Sequence, residues 1–512
     1  MPQVVSGPLS LPGGSFARGL TAPGFLFAHG DPSHALTVGD AARQAAAEGA
    51  GVSDYAAYVH RKLSRVPATG IASGFSVPAS LFPHQSALTA WAIRRGRAAI
   101  FADTGLGKSR MQLAWADVVQ RHTKRPVLIL APLAVASQTV IEGATLGMQV
   151  RHVRDGCEVS PGVNITNYDR LHRFNASDFG AVVLDESSCI KHHDTKTLRT
   201  LLESFRDTPF KLCATATPAP NDWTELGTHA EFLGICTRQE MLAEFFTHDG
   251  GDTSVWRLKG HARQIFWQWV STWGAMVRKP SDLGFEDSAY ALPPLHLHEH
   301  TVETDMPTNG MLFAAEAQSL SERRDARRMS IDDRVRDCAS IVNAESSEPW
   351  VVWCDLNAEG DALTKAINGA VQIAGADAPE LKEQRLADFA AGKFRVLVSK
   401  PSICGFGLNW QHAARMAFVG VTDSFESYYQ AVRRCWRFGQ TRDVHVHVFA
   451  SSAEGAVVAN LKRKERDALA MAESLSGETR DAVMAEVTGL KRQTNTYSAA
   501  TPVAVPNFLK AA

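Results

Sequence analysis

Three arginines stand within five residues in the stretch Gln430-Ala-Val-Arg433-Arg434-Cys-Trp-Arg437-Phe-Gly439-Gln440. Arginine keeps its charge at any physiological pH, and its planar fork matches phosphate oxygens, so such a cluster can neutralise charge that develops in phosphoryl transfer. Taken alone, the cluster reads as a solvated helix face. A second stretch far upstream changes that reading: Ala102-Asp-Thr104-Gly105-Leu106-Gly107-Lys108-Ser109. Gly105 and Gly107 let backbone N–H groups turn toward phosphates, and a helix starting at Lys108 adds its positive end. Lys108 would reach the β- and γ-phosphates, and the Ser109 hydroxyl would hold Mg²⁺. Ala102 stands where the strict motif has glycine, a position that needs only a small residue. Between the two stretches, Ala181-Val-Val-Leu-Asp185-Glu186 is an apolar run ending in two acids. One acid at such a strand end can coordinate Mg²⁺ and the next can orient the attacking water. The alternative, an Asp-Glu pair that only caps the next helix, is weaker beside a phosphate loop. Thr215-Ala-Thr-Pro218 offers hydroxyls to the γ-phosphate, or forms a plain hydroxyl-capped turn.

These residues need elements to hold them. An amphipathic helix over Ala87–Arg97, a strand Ala98–Ala102 and a helix from Lys108 to about His122 frame the phosphate loop as strand–loop–helix. Apolar strands follow at Val127–Ala131, Asn164–Tyr168, from Ala181 and at Lys211–Ala214. The same rhythm returns with strands at Trp350–Cys354, Ala370–Ala374, Arg395–Ser399, Arg415–Val419 and Val444–Phe449, and helices at Glu359–Asn368 and Glu380–Ala391. The arginine stretch reads as a helix ending at Gly439. Strand–helix alternation predicts an α/β chain of two parallel-sheet lobes. One site built from both stretches requires a cleft between them.

The expected division is 1–80 as an accessory region, 81–220 as the first lobe, 221–345 as a mostly helical insertion, 346–450 as the second lobe and 451–512 as a helix and mobile tail. Phe245, Phe246, Trp256, Phe266, Trp267, Trp269 and Trp273 in the insertion read as core rather than as a base-stacking surface. Arg323, Arg324, Arg327, Arg328, Arg334 and Arg336 lie among acids and read as a mixed solvated face. His445 and His447 point to one side of their strand and read as surface residues.

With 512 residues, two or three domains are expected. The net charge of −1 supplies no global attraction to nucleic acid, so any contact must be a local patch. The eight cysteines contain no Cys-x-x-Cys pair, which argues against a zinc site and suits a reducing cytoplasm. No 18-residue apolar run appears, so no membrane association is expected.

The order of these motifs resembles superfamily 2 helicases and translocases over residues 81 to about 450, particularly their Swi/Snf-like branch. Leu-Phe-Pro-His-Gln85 is similar to the segment whose glutamine reads adenine. The phosphate loop resembles motif I, Leu130-Ala-Pro-Leu133 motif Ia, Asn167-Tyr168 with Leu171 motif Ib, and Asp185-Glu186-Ser187-Ser188 motif II. Thr215–Pro218 resembles motif III, Gly405-Phe-Gly407-Leu-Asn-Trp410 motif V, and the arginine stretch from Gln430 motif VI. Its ending, Arg437-Phe-Gly-Gln440, favours the Swi/Snf-like branch. Two departures stand out: Arg433 where an acid is usual, and Ser187-Ser188 after the acidic pair. The resemblance implies two RecA-like lobes, phage or bacterial in type, that close on ATP and Mg²⁺ and move along duplex DNA without sequence specificity. It places Gln85, Thr104–Ser109, Gly407 and Gln430 at the nucleotide, Ser109 and Asp185 at Mg²⁺, and Lys108, Glu186, Arg434 and Arg437 in catalysis. The alternatives are an ATP-gated nucleic-acid clamp and, more weakly, a small-molecule phosphate-loop kinase.

Overall fold

The computed structural model describes residues 66–132, 135–220, 222–249, 252–302, 327–404, 409–420, 425–451, 463, 476–477 and 479–489. The first sheet grows from short strands that are buried along most of their length, as parallel strands covered on both faces require. These are β1 (Arg97–Ala102), β2 (Val127–Ala131), β3 (Val150–His152), β4 (Val163–Asn167), β5 (Ala181–Asp185) and β6 (Phe210–Thr215). A later strand, β9 (Gly274–Val277), joins them, and the order is β3-β4-β2-β5-β6-β1-β9, parallel throughout. Helices α1 (Pro83–Arg95), α2 (Lys108–Thr123) and α3 (Ala136–Thr145) pack on one face of this sheet around Trp91 and Trp115. The other face is covered by α4 (Lys196–Ser204), α5 (Leu226–Leu233), α6 (Arg238–Phe245) and α7 (Arg263–Ser271).

The second sheet has the order β10-β15-β14-β11-β13-β12, again parallel. Its strands are β10 (Leu295–Val302), β11 (Trp350–Trp353), β12 (Ala370–Ile373), β13 (Val396–Ser399), β14 (Arg415–Phe418) and β15 (Val444–Ser451). Helices α8 (Ile331–Ala344), α9 (Asn357–Ala366), α10 (Pro379–Ala390) and α11 (Phe425–Val432) complete it. Both lobes lie within residues 63–512, which form one unit.

The segment expected to be a mostly helical insertion contributes a strand to each of the two sheets. β9 extends the first sheet beside β1, and β10 forms the edge of the second sheet beside β15. A hairpin of β7 (Phe246–Asp249) and β8 (Asp252–Leu258) also lies within it. The period-two alternation of His296, His298 and His300 was the strand signal, and the aromatic helices around it masked it. Phe266, Trp267 and Trp273 are buried core, as their spacing predicts.

Two of the arginines read as a solvated face are buried. Arg334 is fully buried and donates to Glu359 at 2.8 Å, and Arg327 donates to Asp355 at 2.6 Å. A buried guanidinium needs such partners, and the first turn of α9 and the residues just before it supply them from outside the local sequence. His445 and His447 belong to a ladder with β10: His298 Nε2 lies 2.9 Å from His445 Nδ1, and His300 Nε2 lies 2.9 Å from His447 Nδ1. Val483 and Val487 pack into the first lobe's core, so this piece of the C-terminal region is anchored. The rest of the expected tail, residues 1–65 of the expected accessory region, Arg323 and Arg324 lie outside the described residues.

Candidate active site

Strand β1 delivers the chain into the phosphate loop, whose sharp turn rests on Gly105 at φ +94° and Gly107 at φ +83°. These are left-handed conformations that glycine adopts without steric cost. Close packing also requires them: a Cβ on Gly107 would stand 2.2 Å from Gln85 Nε2, and one on Gly105 would stand 3.2 Å from the Phe438 amide of the second lobe. Gln85 is buried, accepts from the Phe82 amide at 3.1 Å and donates to the Leu106 carbonyl at 3.0 Å. Lys108 Nζ donates to the Ala102 carbonyl at 3.0 Å, inside the loop's own curl. Burial lowers its pKa, opposed by the nearby charges of Glu186, Asp103 and Asp185. Ser109 follows it, half-buried in the first turn of α2.

Asp185 ends β5 with both neighbours engaged. Its Oδ1 accepts from Gln112 Nε2 at 2.6 Å, and its carbonyl accepts from the Tyr168 hydroxyl at 2.7 Å. Burial raises the carboxyl's pKa first, and the adjacent Glu186 raises it further. Glu186 takes φ +50°, which a non-glycine residue adopts only when its surroundings hold it there. The turn aims its carboxylate at the Thr215 hydroxyl, 3.5 Å away at the end of β6. The next residue, Ser187, meets the buried His229 of α5, with Oγ 3.2 Å from Nε2.

The second lobe brings its arginines to this place. Helix α11 stops at Val432, earlier than the expected end at Gly439, and residues 433 to 439 run as turns. Tertiary bonds draw the chain off the helical ladder: the Arg434 carbonyl accepts from the Trp410 amide at 3.0 Å, while Cys435 enters the core. Arg434 is buried and donates to the Gln430 carbonyl and to Gln430 Oε1, both at 2.8 Å. Burial lowers its pKa to about 10, opposed mainly by the charge of Glu186. Arg437 is lowered to about 9, by burial first and then by Arg434, with Glu142 and Glu186 opposing. Arg434 thus feels the charge of both Glu186 and Asp185, whereas Arg437 feels that of Glu186 and also bears on Lys108.

The sequence reading missed several contributors here. Tyr290 accepts from Gln85 Nε2 at 3.4 Å and stands 4.8 Å from the Phe438 ring, with Phe82 edge-on to both. Asp103, Tyr429 and Arg433 join the lobes, as described below. No spacing rule links such distant positions, although the unusual arginine at 433 was a visible signal. Gly407 and Leu133 lie outside the described residues.

The cradle suits a nucleotide. Thr104 Oγ1 in the loop and Gln430 Nε2 in the second lobe are buried without a hydrogen-bond partner, one polar atom from each lobe. A Mg²⁺ held largely by phosphate oxygens and water needs only one or two protein oxygens, of the kind the Asp185 carboxylate and the Ser109 hydroxyl carry.

Residues 334–439 match the helicase conserved C-terminal domain. Among solved structures, the SWI2/SNF2 ATPase core of Sulfolobus solfataricus in complex with dsDNA is similar at 17% identity, over 81% of this chain and 98% of that one, with a TM-score of 0.38. No curated protein matches the chain.

Proposed function

We propose that the chain is a superfamily 2 enzyme, a nucleic-acid-stimulated ATPase of the Swi/Snf-like type that moves along duplex DNA; the helicase C-terminal domain match over residues 334–439 supports this reading. The observation that supports this reading is the meeting of the two lobes at the phosphate loop, where Phe438, next to Arg437, lies against Gly105 and Arg433, next to Arg434, donates to Asp103 at 3.0 Å.

Lys108 and the loop amides would hold the triphosphate, with Gln85 at the adenine and Gln430 in the facing wall. Ser109 and Asp185 would hold Mg²⁺, which supplies charge neutralisation on the phosphates. Glu186, fixed by its turn and by Thr215, orients the attacking water and takes its proton. Arg434 and Arg437 stabilise charge on the phosphoryl oxygens, a contribution of about 10³–10⁵ in rate for an arginine finger. Because the arginines sit on the second lobe, hydrolysis depends on closure, and nucleic acid lying across both lobes favours it. Backbone-directed grip gives poor sequence specificity.

The test is ATP turnover with and without duplex DNA, single-stranded DNA and RNA. Lys108→Ala and Glu186→Gln should abolish turnover while duplex binding persists; unchanged turnover in either rejects the enzyme. Triplex displacement then separates translocation from an ATP-gated clamp, because only a moving enzyme ejects the third strand.

A further inference from the structure

Asp103, the second residue of the phosphate loop, is tied to the opposite lobe through both carboxylate oxygens. Oδ1 accepts from the Tyr429 hydroxyl at 2.8 Å, and from the neighbouring Thr104 amide at 2.6 Å. Oδ2 accepts from the Arg433 guanidinium at 3.0 Å. Arg433 also donates to the Tyr429 oxygen, through Nε at 3.1 Å and through an Nη at 2.9 Å. It lies between two rings, 5.1 Å from the centre of Tyr429 and 4.8 Å from that of Trp436. The side chains of Arg433 and Asp103 are only 9% and 18% exposed, so water and salt screen the pair far less than they screen a surface bridge. Losing one partner leaves the other charge buried and unpaired, a far larger penalty than losing a surface pair.

The placement of this pair gives it consequence. Arg433 immediately precedes Arg434, in the turn that also carries Arg437. Asp103 immediately precedes the Thr104–Gly105 turn, against which Phe438 of the second lobe packs. Fastening 103 to 433 therefore sets the distance between the phosphate loop and the catalytic arginines. The geometry points to Asp103 and Arg433, with Tyr429, as an inter-lobe positioning device that registers Arg434 and Arg437 over the phosphate loop. An acid at 433 would face Asp103 with like charge, so the arginine and the aspartate are matched across the cleft. The catalytic consequence rests on the ATPase reading above, whereas the fastening of the lobes does not.

The experiment compares the full chain with Asp103→Asn, Arg433→Gln and the double variant by two measurements. Small-angle X-ray scattering of the nucleotide-free protein should show a compact wild type and an enlarged radius of gyration in all three variants, to the same extent. Steady-state kinetics should show kcat reduced about 10- to 100-fold, the scale expected when catalytic groups are misplaced by about an ångström, with the KM for ATP unchanged. The double variant should be no worse than either single one, because both remove one interaction. Arg433→Lys keeps the charge and should stay compact, which guards against misreading a variant that fails to fold. Wild-type dimensions and kcat in both single variants, or losses that multiply in the double, overturn the proposal. If the wild type hydrolyses no ATP, the enzyme reading fails, and the scattering comparison still decides whether the pair holds the lobes.

Discussion

Arg434 reaches its place through two bonds to Gln430 and carries a charge that Glu186 and Asp185 feel. Arg434→Ala should slow hydrolysis about a thousandfold or more, by the finger contribution, with ATP affinity little changed. Single-turnover kinetics alongside nucleotide titration separate these effects, and a lost cooperative melt would instead mark the arginine as a packing residue. His229 makes a different prediction. Its imidazole is fully buried between Ser187 Oγ and the Glu225 carbonyl, and burial lowers its pKa from 6.5 to about 4. Between those values the unfolded chain binds the proton and the folded chain does not, so acidification favours unfolding. The stability held above about pH 6.5 should be lost as the pH falls to about 4, amounting to about 3 kcal/mol at full titration. Denaturation at a series of pH values measures this, and His229→Gln should flatten that part of the profile.

At the scale of elements, the phosphate loop depends on glycine for two reasons at once. Gly107→Ala would force a Cβ into Gln85 and strain a left-handed turn, the strain alone costing about 1–2 kcal/mol. The expected outcome is a raised KM for ATP together with a lowered melting temperature. A conservative effect on melting with unchanged KM would separate the loop from the nucleotide. The β10–β15 edge carries the imidazole ladder, faced by Asp443 at its start, Arg415 of β14, Asp337 of α8 and the Trp350 ring of β11. Burial lowers the pKa of His300, His445 and His447, and neighbouring imidazoles lower it further. Protonation therefore opposes the pairing, and stability present above the ordinary imidazole range is lost as pH falls. Hydrogen exchange at β10 should rise, beyond its intrinsic pH dependence, between about pH 7 and about pH 5, while the central strand β11 stays protected. Equal protection of β10 at both pH values would show the ladder to be inert.

For the molecule as a whole, the proposed function makes closure of the two lobes the variable that links nucleic acid to hydrolysis. The net charge of −1 leaves no global attraction, so the proposed stimulation would come from local contacts to the phosphate backbone. The nucleic-acid concentration for half-maximal ATPase stimulation should therefore rise steeply with salt, by about 10³–10⁵ between about 50 and about 200 mM if six to ten phosphates are contacted. Basal ATPase without nucleic acid should change far less over that range, because the arginines and acids of the cleft are buried. A flat salt response of the stimulated rate would remove the backbone-tracking mechanism.

Strand–loop–helix order, the glycines of the phosphate loop and the acids at the end of β5 were all readable along the chain, since each rests on local periodicity or backbone conformation. The same holds for the aromatic core of Phe266, Trp267 and Trp273. What the chain could not declare is set by bonds between distant positions. Helix α11 ends early because Trp410 captures the Arg434 carbonyl, β9 and β10 find partners in sheets begun elsewhere, and Arg334 is buried because Glu359 is there to receive it. The odd arginine at 433 was visible as a departure, but its meaning required the carboxylate of Asp103 to be brought against it from the other lobe. Local sequence sets which conformations are cheap; only tertiary burial decides which charges must be paired, and with whom.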